Sequence, residues 1–171
     1  MAEHLKIIEM KTQFCMIAAI VSTGMMAGIF FTWTNAVTPG IGRLDDMGYL
    51  TAFKSMNKTI LNPLFFVLFF LPLCAIPLTA FLKYQEGNQP ACILLAVAAL
   101  LYVAGCICVT VSGNVPLNDL LEKTDLINSN VQQLTQLRSS IEVKWNLFNL
   151  IRTVASVMSF SLLVISVCVK R

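Results

Sequence analysis

A chain of 171 residues that is 57% hydrophobic and 12% charged, with a mean hydropathy of +0.75, is not an ordinary water-soluble domain. Its net charge of +3 is carried in the gaps between apolar runs, with no basic stripe interleaved with aromatics. The expected partner is therefore the lipid bilayer and not nucleic acid. The one histidine, His4, falls in the polar N-terminal tail outside the apolar runs, so a zinc or haem site built on imidazole and a Ser-His-Asp triad are not expected.

Residues 1–13 read as a polar tail, and Phe14–Asn35 is the first run long enough to cross a bilayer. Lys6 and Lys11 ahead of it also fit a signal peptide, but the run is long for one and no small-x-small site closes it. Gly24 and Gly28 form a GxxxG pair, which predicts close helix–helix approach, and Thr32 and Asn35 continue that face. Thr38-Pro39-Gly40 predicts a stop. The amphipathic stretch Met47–Lys58 predicts a short interfacial helix.

Ile60–Leu82 is the second expected span, with Asn62-Pro63 at its mouth and Pro72 and Pro77 inside. Interior prolines kink a membrane helix, either to open a cavity or to suit its packing, and the sequence leaves both open. A short polar turn, Lys83–Pro90, makes it an antiparallel neighbour of the third span, Ala91–Val111. Tyr102, Cys106, Thr110 and Gly113 share one face there, and the stretch 112–118 is expected to leave the helix at its Gly and Pro. The cysteines (Cys15, Cys74, Cys92, Cys106, Cys108 and Cys168) all lie in or beside apolar runs without a CxxC, and read as packing residues. Asp119–Lys144 is polar but carries leucines at helical spacing and predicts a surface helix. Leu147–Val169 is the fourth span, and from Val131 onward nothing interrupts the helical pattern. The expected architecture is an all-α, integral membrane four-helix bundle forming a single membrane domain over 1–171, with an extra interfacial helix after span one and a surface helix before span four.

Arg152 is the one charge well inside an apolar run. On a helix, Trp145, Asn149, Arg152, Ser156 and Ser159 share a narrow face. A guanidinium facing hydrocarbon costs roughly 2.5–3.5 kcal/mol, so that face is expected to point at partners or water inside the bundle. The competing reading is an arginine that snorkels to the headgroups. Four spans return both termini to one side. There Lys6, Lys11, Lys83, Lys170 and Arg171 are set against a larger group in longer loops, which leans the termini toward the cytoplasmic side of a plasma or bacterial inner membrane.

The helix mouths on the loop-rich side gather Thr34 and Asn35, Asn57 and Asn62, Asn114 and Asn118, then Trp145, Asn149 and Arg152. A bundle brings these to one end, where they form a candidate pocket. Each asparagine alone has a plain alternative as a helix cap or buried link. No Asp, Glu, His or Lys lies inside a span, which argues against a proton relay or an ion-coupled transporter. Metal ligands and a nucleotide loop are also missing from the pattern. An arginine, amide dipoles and aromatic walls suit the anion or enolate of an apolar molecule.

The segments AGIFFTWTNAVTPGIGRL, MNKTILNP, GNVPLND and WNLFNLIRT resemble the signature segments of the anthrone-oxygenase-like family of small membrane proteins, in that order and over about residues 14–165. Some of its members oxidise anthrones to anthraquinones with O₂ and no evident cofactor. The resemblance implies that Arg152 pairs with an enolate oxygen while Asn149 and Asn114 bond ring oxygens. It also implies that Trp33 or Trp145 stacks on rings, with Asn35, Asn62 and Asn118 completing the substrate site. A general base is missing from that set, Asp119 being merely the nearest carboxylate to the GNVPLN turn. The alternative is a non-enzymatic module that binds a lipid, a quinone-like ligand or a protein at the same end.

Overall fold

The computed structural model describes residues 2–169, with side chains from residue 9 onward. The side chains of His4 and Lys6, and Lys170 and Arg171, lie outside the described residues. Helix α1 runs Ala2–Thr32 and continues through a π-helical turn, Trp33–Val37, into a last α-helical turn, Thr38–Ile41. Residues 2–13 are therefore helix and not a tail, and Thr38-Pro39-Gly40 forms the helix's last turn, which ends at Ile41. Pro39 sits in the first turn of the final piece, where its missing N–H is not needed. The wider turn before it lets the Thr38 N–H reach back to the Trp33 carbonyl.

The interfacial helix, α2, is Asp46–Ile60, and the Asp45 carboxylate caps it by accepting from the Gly48 N–H at 2.7 Å. Helix α3, Pro63–Gln85, starts at Asn62, whose Oδ1 accepts from the Phe65 N–H at 3.0 Å. A turn with Gly87 at φ 75° leads to Asn88, the cap of α4, Gln89–Tyr102. Instead of unwinding at 112–118, the chain passes through two π-helical stretches, Val103–Cys108 and Thr110–Asn114, into α5, Val115–Lys123. Pro116 again lies in a first turn, so the helix absorbs it.

The surface helix expected over Asp119–Lys144 is divided between the end of α5 and the start of α6. The Asp125 carboxylate accepts from the Ile127 and Asn128 N–H groups at 3.1 and 3.3 Å, a local turn that competes with helix. Asn130 and Gln133 then form a reciprocal capping box, and α6 runs unbroken over Val131–Cys168.

Glu9–Ile41, Pro63–Gln85, Gln89–Lys123 and Val131–Cys168 are each long and apolar enough to cross a membrane. Their outer faces expose Phe14, Ile17, Leu64, Val67, Ile93, Leu100, Val154 and Val157, residues that need lipid around them. The protein is an all-α integral membrane bundle of four spans. Helix α1 packs on α3 and α6, and α4 packs on the same two helices. A Cβ on Gly24 would meet the Phe160 ring at 2.9 Å, so this glycine does allow close approach, whereas a Cβ on Gly28 would meet nothing within 4 Å. Pro72 and Pro77 both lie inside α3 without breaking it. Near Pro72 the buried Tyr102 hydroxyl donates to the Phe69 carbonyl at 2.9 Å, tying α4 to α3.

Two apolar cores stack along the bundle. The membrane core includes Met26, Phe30, Phe69, Leu95 and Leu163, and the loop-end core includes Trp33, Tyr49, Phe53, Leu121 and Trp145. Arg138 ties the corner before α2 to α6. It donates to the Leu44 and Gly42 carbonyls at 2.9 and 2.8 Å, to Asp46 at 3.1 Å and to Glu142 at 2.7 Å, and lies over the Tyr49 ring. The Thr135 hydroxyl, and after it Arg138, holds the Asp46 carboxyl below the usual carboxylate range. Asp46 therefore keeps its charge, and its share of the clasp, until the pH falls below that range. Arg138→Met is expected to destabilise the loop end by about 2 kcal/mol, because it strands several acceptors at once. Thermal unfolding in detergent checks this, and an unchanged melting temperature would show that the clasp contributes nothing.

Candidate functional site

The site lies where the two cores meet. Trp145, Asn149, Arg152, Ser156 and Ser159 form the inward face of α6, and each is at least nine-tenths buried. Arg152 is 6% exposed, so it does not snorkel to the membrane surface. Its Nη2 donates to Asn149 Oδ1 at 2.8 Å and its Nη1 to Thr110 Oγ1 at 3.3 Å. The guanidinium lies over the rings of Phe30 and Trp145, at 4.5 and 5.3 Å from their centroids. Among the described residues no carboxylate pairs with it, and its Nε–H has no partner. This is a buried cation held by neutral groups, with its Nε–H left without a partner.

Asn149 is what holds it. Its Nδ2 donates to the Phe30 carbonyl at 3.1 Å and to Thr34 Oγ1 at 2.7 Å. Thr34 in turn bonds Thr153 Oγ1 at 2.9 Å, and Thr153 donates to the Asn149 carbonyl. With its amide thus used up, Asn149 orients Arg152 and does not line the cavity.

The cavity beside Arg152 measures about 80 Å³ and is walled by Phe30, Trp33, Ile60, Phe65, Asn114 and Trp145, among others. Asn114, 1% exposed, makes only a long contact from Nδ2 to the Trp145 carbonyl, at 3.5 Å, and its Oδ1 has no partner. Arg152, whose Nε–H is unpaired, and Asn114, whose Oδ1 is unpaired, both line this small space. Buried polar groups are rarely left so, which makes the space the candidate binding site.

At the loop end the cavity is roofed by aromatic rings. Trp33 and Trp145 lie 5.1 Å apart, and Phe53 meets Trp145 edge-on at 4.9 Å. Asn118 Oδ1 fixes that roof by accepting from Trp145 Nε1 at 2.9 Å and from Asn57 Nδ2 at 3.1 Å. Asn118→Ala leaves the indole N–H unpartnered and is expected to shift the tryptophan emission, since Trp33 and Trp145 are the only two tryptophans. An unchanged spectrum would show that Asn118 does not set the roof.

Of the residues singled out by sequence, the fold brings Arg152, Asn57, Asn114, Asn118, Trp33 and Trp145 to the cavity wall and puts Asn149 behind it. Asn62 is an exposed helix cap, and Asn35 is exposed on α1; neither lines the space. Asp119 is exposed and does not reach it. Phe30 and Thr110 do line it. Thr110 lies on the Tyr102–Cys106 face of span three, but nothing distinguishes Phe30 among 11 phenylalanines.

The model of the anthrone oxygenase family matches residues 65–162, more than half of the chain. The chain belongs to that family. No curated protein and no solved structure matches it. The matched region carries Thr110, Asn114, Asn118, Trp145, Asn149 and Arg152, so the polar wall lies within the family's shared segment. Trp33, Asn57 and Ile60, from α1 and α2, lie outside it.

Proposed function

We propose that this chain is an oxygenase that converts an anthrone-type phenolic to a quinone inside the Arg152 cavity. The observation that carries the reading is the buried guanidinium with no carboxylate partner and an unpaired Nε–H, on the same cavity wall as Asn114 with its unpaired Oδ1. The family's name supports it.

An anthrone CH₂ is acidic because the resulting carbanion delocalises onto the ketone oxygen as an enolate. Arg152 pairs with that oxygen and stabilises the charge where it develops, in a site shielded from water. The carbanion reduces O₂ and forms a C–O bond, giving a hydroperoxide. Loss of the second C–H proton then breaks the O–O bond, yields the new carbonyl and releases water. The CH₂ supplies all four electrons that O₂ takes up, so the reaction needs no external reductant. Asn114 accepts a hydrogen bond from a hydroxyl next to the ketone, and Trp33 and Trp145 cover the rings. Among the described residues no carboxylate or imidazole lines the cavity, so the first proton passes to a water molecule held inside it, for which its volume of about 80 Å³ leaves room.

That same lack of a base favours a second reading, in which the site binds a quinone, lipid or protein partner without turnover. Product analysis after incubation with anthrone under ¹⁸O₂ separates the two. The oxygenase reading expects one labelled oxygen in the quinone and the other in water, at a rate above the spontaneous one. Quinone formed only at the spontaneous rate would leave the binding reading standing. The loop charges support placing both termini on the cytoplasmic face of a plasma or bacterial inner membrane.

A further inference from the structure

A cavity of about 80 Å³ is far below the roughly 300 Å³ at which pockets for drug-sized ligands begin, so it must open to admit a polycyclic molecule. The aromatic roof itself gives no route from water, because Tyr49, Leu50 and Phe53 above it have no exposed surface and Leu121 is 1% exposed; beside it the wall is completed by the exposed apolar side chains of Leu61 and Val115 and by the half-buried Asn57 and Asn118. On the lipid side a groove of about 410 Å³ runs along α1 past Met25, Gly28 and Thr32. It shares Ile29, Trp33 and Ile60 with the cavity, so these three side chains are the partition between the two spaces. Ile29 and Ile60 are only partly buried, and Ile60 is the last residue of α2, before the break that leads to α3. Gly28 faces open space, which leaves half of the GxxxG pair without the packing role that Gly24 has.

We propose that this groove is the lateral portal of the cavity, through which a planar aromatic dissolved in the bilayer reaches Arg152 when Ile29 and Ile60 swing aside. The inference rests on the cavity being a ligand site, as argued above. Gly28 keeps the groove open, and the missing Cβ is its contribution. Opening joins groove and cavity into a space in the range that a tricyclic molecule needs. The apolar route also holds the ligand in a water-poor medium until its oxygens meet the polar wall.

Both tryptophans border the cavity, so their fluorescence reports its filling directly. The test uses the full chain in nanodiscs, with 9,10-anthraquinone as quencher, and measures the quenching rate in stopped flow. The rate is expected to follow the quinone mole fraction in the bilayer. Gly28→Leu is expected to slow it about tenfold without changing the final depth of quenching, and Ile60→Ala to speed it. Should Gly28→Leu fail to fold, Ile60→Ala decides alone. Quenching whose rate neither variant changes would overturn the portal and leave the cavity reading intact. No quenching of the wild-type protein would overturn the cavity as a ligand site, and the portal with it.

Discussion

Arg152→Ala is expected to lower turnover by about 10²-fold or more while the bundle still folds. The substitution removes the one cation among the described residues that line the cavity. On the stability side, opposing effects nearly cancel. Removing a charge from the membrane interior relieves roughly 2.5–3.5 kcal/mol. Against that, two cation–π contacts and the bond to Thr110 are lost, and the Asn149 carbonyl oxygen is left unpaired at a cost of about 1–3 kcal/mol. A melting temperature close to wild type is therefore expected together with lost activity. Arg152→Lys keeps the charge but cannot reach Asn149 and Thr110 with one planar fork, so partial activity is expected. Activity assays paired with thermal melts check both. Unfolding of the alanine variant would make Arg152 structural, and full activity would remove it from the site.

The largest expected loss of stability is at Gly105, which does not line the cavity. A Cβ built there lands on the Ala155 Cβ, so spans three and four touch almost backbone to backbone. Neighbouring bonds record the same approach: Ser159 donates to the Ala98 carbonyl at 2.9 Å, and the Cys106 thiol to the Arg152 carbonyl at 3.6 Å. Gly105→Ala is expected to cost about 1–3 kcal/mol through overpacking, and Gly105→Leu to prevent assembly. Adding Ala155→Gly should restore much of what Gly105→Ala loses, because it removes the atom in the way. Thermal unfolding of the single and double variants measures this coupling. Strict additivity would show that the two helices do not meet there.

The four spans and the buried stripe of α6 were legible in the sequence because they rest on long-range periodicity. Hydropathy over some twenty residues is hard to mimic, and five polar or aromatic residues at helical spacing in an apolar run leave one sensible orientation. What misled was local. Thr38-Pro39-Gly40 and Gly113-Asn114-Val115-Pro116 carry the residues that end helices, yet π-helical turns just before each proline carry the chain through. Asn114 consequently points into the bundle, where a surface turn was expected. Asn62 and Asn118 look alike as amides at helix mouths, but one caps its own helix while the other bonds to Trp145 and Asn57, far away in sequence. Composition cannot separate those roles, because the partners are fixed only once the helices are packed. Phe30 illustrates the same limit, since its part in the site depends on where Arg152 comes to lie.

The central claim is that the Arg152 cavity carries out oxygenation, and oxygen uptake tests it most directly. Purified protein in detergent would be given anthrone, without added cofactor or metal, and compared with Arg152→Ala in an oxygen electrode. The account predicts uptake above the spontaneous rate for wild type, with one O₂ consumed per quinone formed, and a fall to the spontaneous rate in the variant. Uptake equal in the two proteins, or no greater than that of anthrone alone, would contradict it.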